Sequence, residues 1–331
     1  PCRNEERYIG QCVRSMLSNG YDPKLLEILV VDGESTDGTR GVVGELMEEC
    51  VQVRLIENPR RLTPYALNLG IEHATGDYIL IASAHSSLDR GYIEVLVERI
   101  ESLDSALAVG GVMRTEVKRR TLTSMAIKTV LSSRFGVGNA HFRIGVKEAR
   151  KVDTVPFGLY RTALLRSVGG YDERLVRNHD IELSKRLLGR GGFIYLIPEA
   201  TCAYYAREEY WPLAKNGFQN GKWNVLTVML TRSHRSISVR HAVPLLFVLS
   251  LLGPGIAAIW FPPTIWLSLA SLTAYIVTLL AVVISEERKE SKVGHLLWAF
   301  SVLHLSYGFG SLSGLVAAFT NLKRVNRTSS N

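Results

Sequence analysis

Short apolar runs and amphipathic runs take turns along the first third of the chain. Between residues 7 and 17, Tyr8, Ile9, Val13, Met16 and Leu17 recur at helical spacing, and residues 27–31 form an apolar run of strand length. That run stops at DGESTDGT (32–39), a cluster of turn formers and helix caps ahead of a helix beginning near Arg40. Residues 51–56 alternate as a strand, 65–74 read as a helix, and 78–82 read as another strand. Helix, strand, helix, strand, helix, strand with short turns predicts an α/β domain with a largely parallel sheet. Ligands bind beyond the carboxyl ends of strands in such sheets, and Asp32 and Ser83 stand at two of those ends.

Further along, LDRGYIEVLVERIES is an amphipathic helix and LAVGGVMRTEV a strand interrupted by glycines. RFGVGNAHFRIG is too rich in glycine and polar residues for a regular element, and NHDIELSKRLL reads as a cap followed by a helix. After His241 the pattern changes. Residues 242–261, 264–284 and 295–319 contain no Lys, Arg, Asp or Glu, and each reaches the ~20 residues that a helix needs to cross a bilayer core. The chain therefore divides into a domain over 1–230 and a membrane region over 231–331. The last stretch, with His295, His304, Ser306, Ser311 and Ser313, is the most polar, so it reads either as a span or as an interfacial or re-entrant segment. Its Gly310 and Gly314 have the small-xxx-small spacing of close helix pairs.

Charge adds an orientation. Arg232, Arg235 and Arg240 precede the first stretch, Arg288, Lys289 and Lys292 follow the second, and Pro262-Pro263 between them is uncharged. Short cytoplasmic loops collect Lys and Arg, which places the first domain in the cytoplasm of a multi-pass protein of the cell membrane. Lys323, Arg324 and Arg327 would then lie outside after three full crossings, against the same rule. The net charge of +8 calls for no nucleic acid, because the basic residues cluster near the first stretch and in VKRRT, where anionic headgroups account for them. Four cysteines without a CxxC pair suggest neither a zinc site nor a disulfide framework. PCRNE stands directly before a helical pattern, so a first strand is expected ahead of Pro1.

Three stations along the α/β pattern carry candidate chemistry: Asp32, the Ser83–His85 region, and Asp180 with Glu182. Each also has an ordinary reading. Asp32-Gly33 makes a turn, His85 packs in one, and Asp180 and Glu182 suit the positive end of a helix. Their order narrows the choice. PCRNEERYI (1–9), VVDGESTDGT (30–39), NPRRLTPYALNLGIEHATGDYIL (58–80), SAH (83–85), FGVGNAHFR (135–143), VPFGLYRTALLRSVGGYDE (155–173) and RNHDIELSKRL (177–187) together resemble the family 2 glycosyltransferases. Within that family they look most like the membrane-anchored exopolysaccharide enzymes of the succinoglycan-biosynthesis type.

The resemblance implies a GT-A, Rossmann-like nucleotide-sugar-binding domain followed by transmembrane helices. It assigns Pro1, Arg3, Glu5, Asp32, Glu34 and Asn68 to the donor and Asp180 to the catalytic base, with His179 in the place of the family's Glu. The base takes the proton of an acceptor hydroxyl as it attacks the anomeric carbon, so one displacement inverts the centre. Where the family has Asp-x-Asp, and this subgroup Asp-Ala-His, the chain has Ser83 and His85. His85 is the expected ligand of Mn²⁺ or Mg²⁺, whose charge offsets the leaving diphosphate. Ser83 is the departure, and it weakens the hold on any metal. Gln219, Lys222 and Trp223 of GFQNGKW match the segment that covers acceptor and diphosphate; an interfacial amphipathic helix is the other reading. The implied partners are a UDP-sugar, UDP-glucose by analogy with the subgroup, a polyprenyl-linked saccharide and membrane lipid. A catalytically silent donor-binding or scaffold subunit is the rival, and a processive exporting synthase has too few spans.

Overall fold

The structure, a computed structural model, describes residues 1–232, 239–286 and 292–328. Arg235, Arg288 and Lys289 of the basic clusters lie outside the described residues. Two compact units share the chain. The first comprises Pro1–Glu116 and His141–Tyr205, and the second Val117–Ala140 with the residues from Ala206 onward.

In the first unit the helices are α1 (Ile9–Leu17), α2 (Thr39–Glu49), α3 (Thr63–His73) and α4 (Tyr92–Ser102). The strands between them are β1 (Ile28–Asp32), β2 (Val53–Glu57), β3 (Tyr78–Leu80) and β4 (Ser86–Leu88). A long strand β5 (Ala106–Glu116) closes this half. The second unit takes α5 (Leu122–Ser132) and α6 (Arg134–Val137) before the chain returns with α7 (His141–Ile144), β6 (Arg150–Val152), β7 (Leu159–Arg161), α8 (Thr162–Ser167), α9 (His179–Leu188) and β8 (Phe193–Tyr205). β1 and β2 pair in parallel, extended by a bridge from Cys2 to Asp32. The other strands run in the order β3-β7-β5-β8-β4, with β6 on β8.

This second sheet is mixed rather than largely parallel: only β5–β8 is parallel, and β3–β7, β5–β7, β4–β8 and β6–β8 are antiparallel. The glycines that interrupt β5 have a packing reason. A Cβ on Gly111 would stand 2.3 Å from the Ala200 carbonyl, and the Gly111 N–H donates to the buried Tyr92 hydroxyl at 3.1 Å. Tyr92, Leu96 and Ile100 of α4 bury against Val109, Leu159 and Ile197 on one side of the sheet, while Leu183 and Leu187 of α9 bury against Ala108 and Ile194. Between β1 and β3, which do not pair, lies an apolar cavity of about 640 Å³ lined by both strands and by α1 and α3.

The second unit continues with α10 (Tyr210–Thr231), α11 (Val243–Ala257), α12 (Ile265–Glu286) and α13 (Val293–Thr328). Pro262–Glu286 and Val293–Thr320 are long and apolar enough to cross a membrane, whereas α11 has 15 residues and carries Pro254 in its interior. The polar residues that set the last stretch apart face protein. His304 bonds the Phe135 carbonyl at 2.9 Å and the Tyr275 hydroxyl at 3.1 Å, and Ser311 is buried. Gly310 and Gly314 lie against the α10 backbone at Phe218 and Lys222, while Gly221 of α10 lies against the Tyr307 carbonyl. The two helices therefore approach through reciprocal small-residue faces. The sequence reading placed α10 with the first domain, yet it packs in this unit.

Candidate active site

The end of β1 holds a closed network. Asp32 is 1% exposed, and its carboxylate accepts from the Ser35 N–H at 3.0 Å, from the Ser35 hydroxyl, and from Arg40 Nε at 3.5 Å. Asn4, Glu34 and Arg61 all have left-handed backbone, with φ of 56°, 54° and 60°, a conformation that costs a non-glycine residue about 1–2 kcal/mol. Hydrogen bonds offset that cost. The Asn4 N–H donates to the Ser35 hydroxyl at 2.8 Å, its side-chain oxygen accepts from the Thr36 N–H at 2.8 Å, and Arg61 pairs with Glu34. Arg3 is exposed beside Gly33, where its side chain passes 3.5 Å from the position of a Cβ. Pro1, Arg3, Asp32 and Glu34 thus share one corner.

Glu5 connects this corner to the end of β3. Its N–H donates to the Thr39 hydroxyl at 2.8 Å, and its carboxylate lies 3.4 Å from His85 Nδ1. The strand stops at Leu80, and residues 83–86 turn: the Ser83 carbonyl accepts from the Ser86 N–H at 3.0 Å, the Ser86 hydroxyl at 2.7 Å and the Cys12 thiol at 3.3 Å. These three bonds all end on the Ser83 carbonyl and none on its side chain, so the turn forms without a carboxylate at position 83. Ser83 Oγ lies 3.4 and 3.3 Å from the two ring nitrogens of His85, whose ring also meets Tyr204 edge-on at 5.0 Å. Tyr8 adds a second aromatic wall at 6.4 Å.

A divalent ion of this kind takes about six ligands, mostly oxygen. Among the described residues no group of three or more His, Cys, Asp or Glu could hold one. His85 and Glu5 therefore fit a cation that arrives with a diphosphate supplying the other oxygens, and do not make a resident metal centre.

Farther along the unit, α9 begins with Asn178 in left-handed backbone, φ 60°. Asp180 in its first turn is exposed, and among the described residues nothing hydrogen-bonds its carboxylate. Glu182, two residues on, is buried and accepts from Arg186 at 2.6 and 2.8 Å; Arg186 also donates to the Val168 and Gly170 carbonyls. Glu182 is thus committed to holding the loop ahead of α9. Asn68 is committed likewise. Its amide donates to the Tyr171 carbonyl at 2.9 Å and to Glu173 at 3.0 Å, and its oxygen accepts from the Tyr171 N–H at 2.8 Å, which leaves it no spare donor. Beside Asp180, His179 Nδ1 is buried without a hydrogen-bond partner, and the ring meets Tyr171 edge-on at 5.6 Å. Burial lowers the His179 pKa while the Asp180 charge raises it, with burial prevailing. Burial also raises the phenols of Tyr160 and Tyr171, and the Asp180 charge adds to both shifts, so the carboxylate borders this buried wall.

Gln219, Lys222 and Trp223 lie half-buried on α10, in the second unit. Sequence reasoning missed Ser35 and Arg40 on Asp32, Arg61 on Glu34, and the ring of Tyr204 on His85. Ser35 lies inside the DGEST run and Arg40 directly after DGESTDGT, so both were within local reach; Arg61 and Tyr204 come from farther segments.

Residues 1–158 match the model of glycosyl transferase family 2, a stretch that ends ahead of Asp180. The chain is 29% identical to a dolichyl N-acetyl-alpha-D-glucosaminyl phosphate 3-beta-D-2,3-diacetamido-2,3-dideoxy-beta-D-glucuronosyltransferase of Methanococcus voltae, over 62% of this chain and 65% of that protein. It therefore spans just under two thirds of that relative. It is also 29% identical to succinoglycan biosynthesis protein ExoA of Rhizobium meliloti, over 74% of this chain and 73% of that one. Among solved structures it resembles mannosyltransferase PcManGT from Pyrobaculum calidifontis, in complex with GDP-Man and Mn²⁺, with a TM-score of 0.58 at 19% identity over 94% of this chain and 85% of that chain. At that identity the likeness shows the fold, which is GT-A.

Proposed function

We propose that this chain, which carries a family 2 glycosyltransferase domain over residues 1–158, is an inverting transferase that moves a sugar from a nucleotide donor to a lipid-linked saccharide for surface polysaccharide. The observation that carries the reading is the exposed carboxylate of Asp180 in the first turn of α9, which accepts no hydrogen bond among the described residues while Glu182, two residues on, is committed to Arg186. In the reaction the acceptor hydroxyl gives its proton to Asp180 as its oxygen bonds to the anomeric carbon. The bond to the diphosphate breaks on the opposite face, and its electron pair leaves with the phosphate oxygen. A positioned base of this kind contributes about 10²- to 10⁴-fold.

Arg3, Glu5, Asp32 and Glu34 are assigned to the nucleoside of a UDP-sugar. Asp32 acts through its held carboxylate and Arg3 as the exposed member of the corner. The Mn²⁺ of the mannosyltransferase supports a divalent cation on the donor, with His85 and Glu5 as this chain's contribution. When bound, such a cation offsets diphosphate charge. The two long apolar helices, and the dolichyl phosphate in the name of the Methanococcus relative, support a polyprenyl-linked acceptor at the membrane surface. The basic residues flanking the helices support a cytoplasmic first unit in a multi-pass protein. Gln219, Lys222 and Trp223 are assigned to the acceptor side.

The test is transfer from labelled UDP- and GDP-sugars to polyprenyl-linked saccharides by detergent-solubilised protein in Mn²⁺, Mg²⁺ or EDTA. Turnover with one donor names it. Nucleotide binding without turnover from any donor supports the silent subunit instead, and Ser83→Asp separates the two: it raises a measurable rate in a working enzyme, but lifts the rate from nothing in a silent one.

A further inference from the structure

The run FGVGNAHFR ends on Arg143, a partly buried arginine held differently from several arginines that pair with carboxylates or backbone carbonyls. Arg186 pairs with Glu182 and two carbonyls, Arg114 pairs with Asp89, and Arg166 donates to the carbonyls of Ile71 and Ala74. Arg143, on α7, donates to the hydroxyl of Thr115 on β5 at 3.2 Å and has the Tyr204 side chain as a second hydrogen-bond partner, and its guanidinium faces the rings of Tyr204 at 5.1 Å and Phe142 at 5.9 Å. Among the described residues it has no carboxylate partner. Burial lowers its pKa, with Tyr204 opposing that shift. A guanidinium has five N–H donors in a fork that matches phosphate oxygens, and two hydroxyl partners leave part of that fork for a ligand at this half-buried place.

The place of this cation gives it a use. Tyr204, under the guanidinium, pairs in register with Ser86, and the Tyr205 N–H donates to the His85 carbonyl at 3.1 Å. The Tyr204 ring also meets that of His85 at 5.0 Å, so Arg143 stands one aromatic ring from the Ser83–His85 turn. That turn is where the site lacks a carboxylate to hold a metal. We propose that Arg143 binds the diphosphate of the nucleotide sugar and stabilises it as it leaves, supplying part of the positive charge that a metal held by an acidic residue at position 83 would bring. The inference rests on the glycosyltransferase reading and deepens it. The bond that breaks is the one between the anomeric carbon and the diphosphate oxygen. The electron pair stays on that oxygen, and Arg143 meets the new charge without transferring a proton.

Calorimetric titration of the full chain with UDP and with uridine, in EDTA, separates this role from a packing role. Arg143→Met is expected to weaken UDP at least about tenfold while uridine binding is unchanged, because charge-assisted hydrogen bonds to phosphate are lost and nucleoside contacts are kept. Arg143→Lys should fall between, keeping the charge without the fork, and it serves if the Met variant folds poorly. Ser83→Asp added to Arg143→Met should recover UDP affinity in Mn²⁺ and not in EDTA. Equal losses for UDP and uridine, or none for either, overturn the role of Arg143 and leave the enzyme reading standing. Wild-type protein that binds neither ligand and transfers no sugar overturns both.

Discussion

The end of β1 and the first turn of α9 each present an aspartate, and the two are treated in opposite ways. Asp32 is buried and held by Ser35 and Arg40, whereas Asp180 is exposed with no hydrogen bond to its carboxylate among the described residues. A saturated carboxylate has a fixed position, which suits recognition of a nucleoside. An unsaturated one has lone pairs open to an acceptor hydroxyl, which suits a base. Within α9 the contrast repeats at closer range: Glu182 is spent on Arg186 and the loop it grips, and Asp180 is not. Acidity alone therefore does not mark the reactive group. What the neighbours have already claimed does.

The sharpest way to break the comparison is to neutralise each acid of α9. Asp180→Asn should lower sugar transfer by about 10²- to 10⁴-fold with an unchanged melting temperature and unchanged UDP affinity. Glu182→Gln should do the reverse, costing about 1–3 kcal/mol of unfolding free energy in denaturant titration because Arg186 loses its charge partner, with a smaller loss of rate. Equal effects of the two on rate would mean that Asp180 is a second structural acid.

A smaller effect is expected from acid. His179 is buried with a lowered pKa, so the folded state binds its proton less readily than the unfolded chain does. Its stabilising contribution is fully present above the ordinary histidine value of 6.5 and is lost as pH falls from there toward the lowered folded value. Melting temperatures of wild type and His179→Gln should diverge above that value and converge below it. Parallel curves would place the acid sensitivity elsewhere.

Much of the fold was legible because it is written in near neighbours. Periodicity located the helices and strands around Asp32 and Ser83, and composition located two membrane-length helices, since apolar runs and turn clusters are local properties. The strand directions of the second sheet were not legible, because pairing joins residues as far apart as Ser86 and Tyr204. Asn68 shows the limit within a single motif. Its segment fits the donor-binding pattern, yet its amide is consumed by Tyr171 and Glu173 more than a hundred residues away.

By itself, the sequence determined that an α/β domain with acidic strand ends and helix starts precedes long uncharged helices, because spacing and composition need no partners. Tertiary structure alone decided which polar groups are left over. It set Glu5 beside His85, spent Glu182 and Asn68 on loops, turned the polar face of α13 onto protein, and left Arg143 and Asp180 without ion partners or hydrogen-bonded acids. The reason is that a hydrogen bond can be claimed once, and the claimant is chosen by packing across the chain.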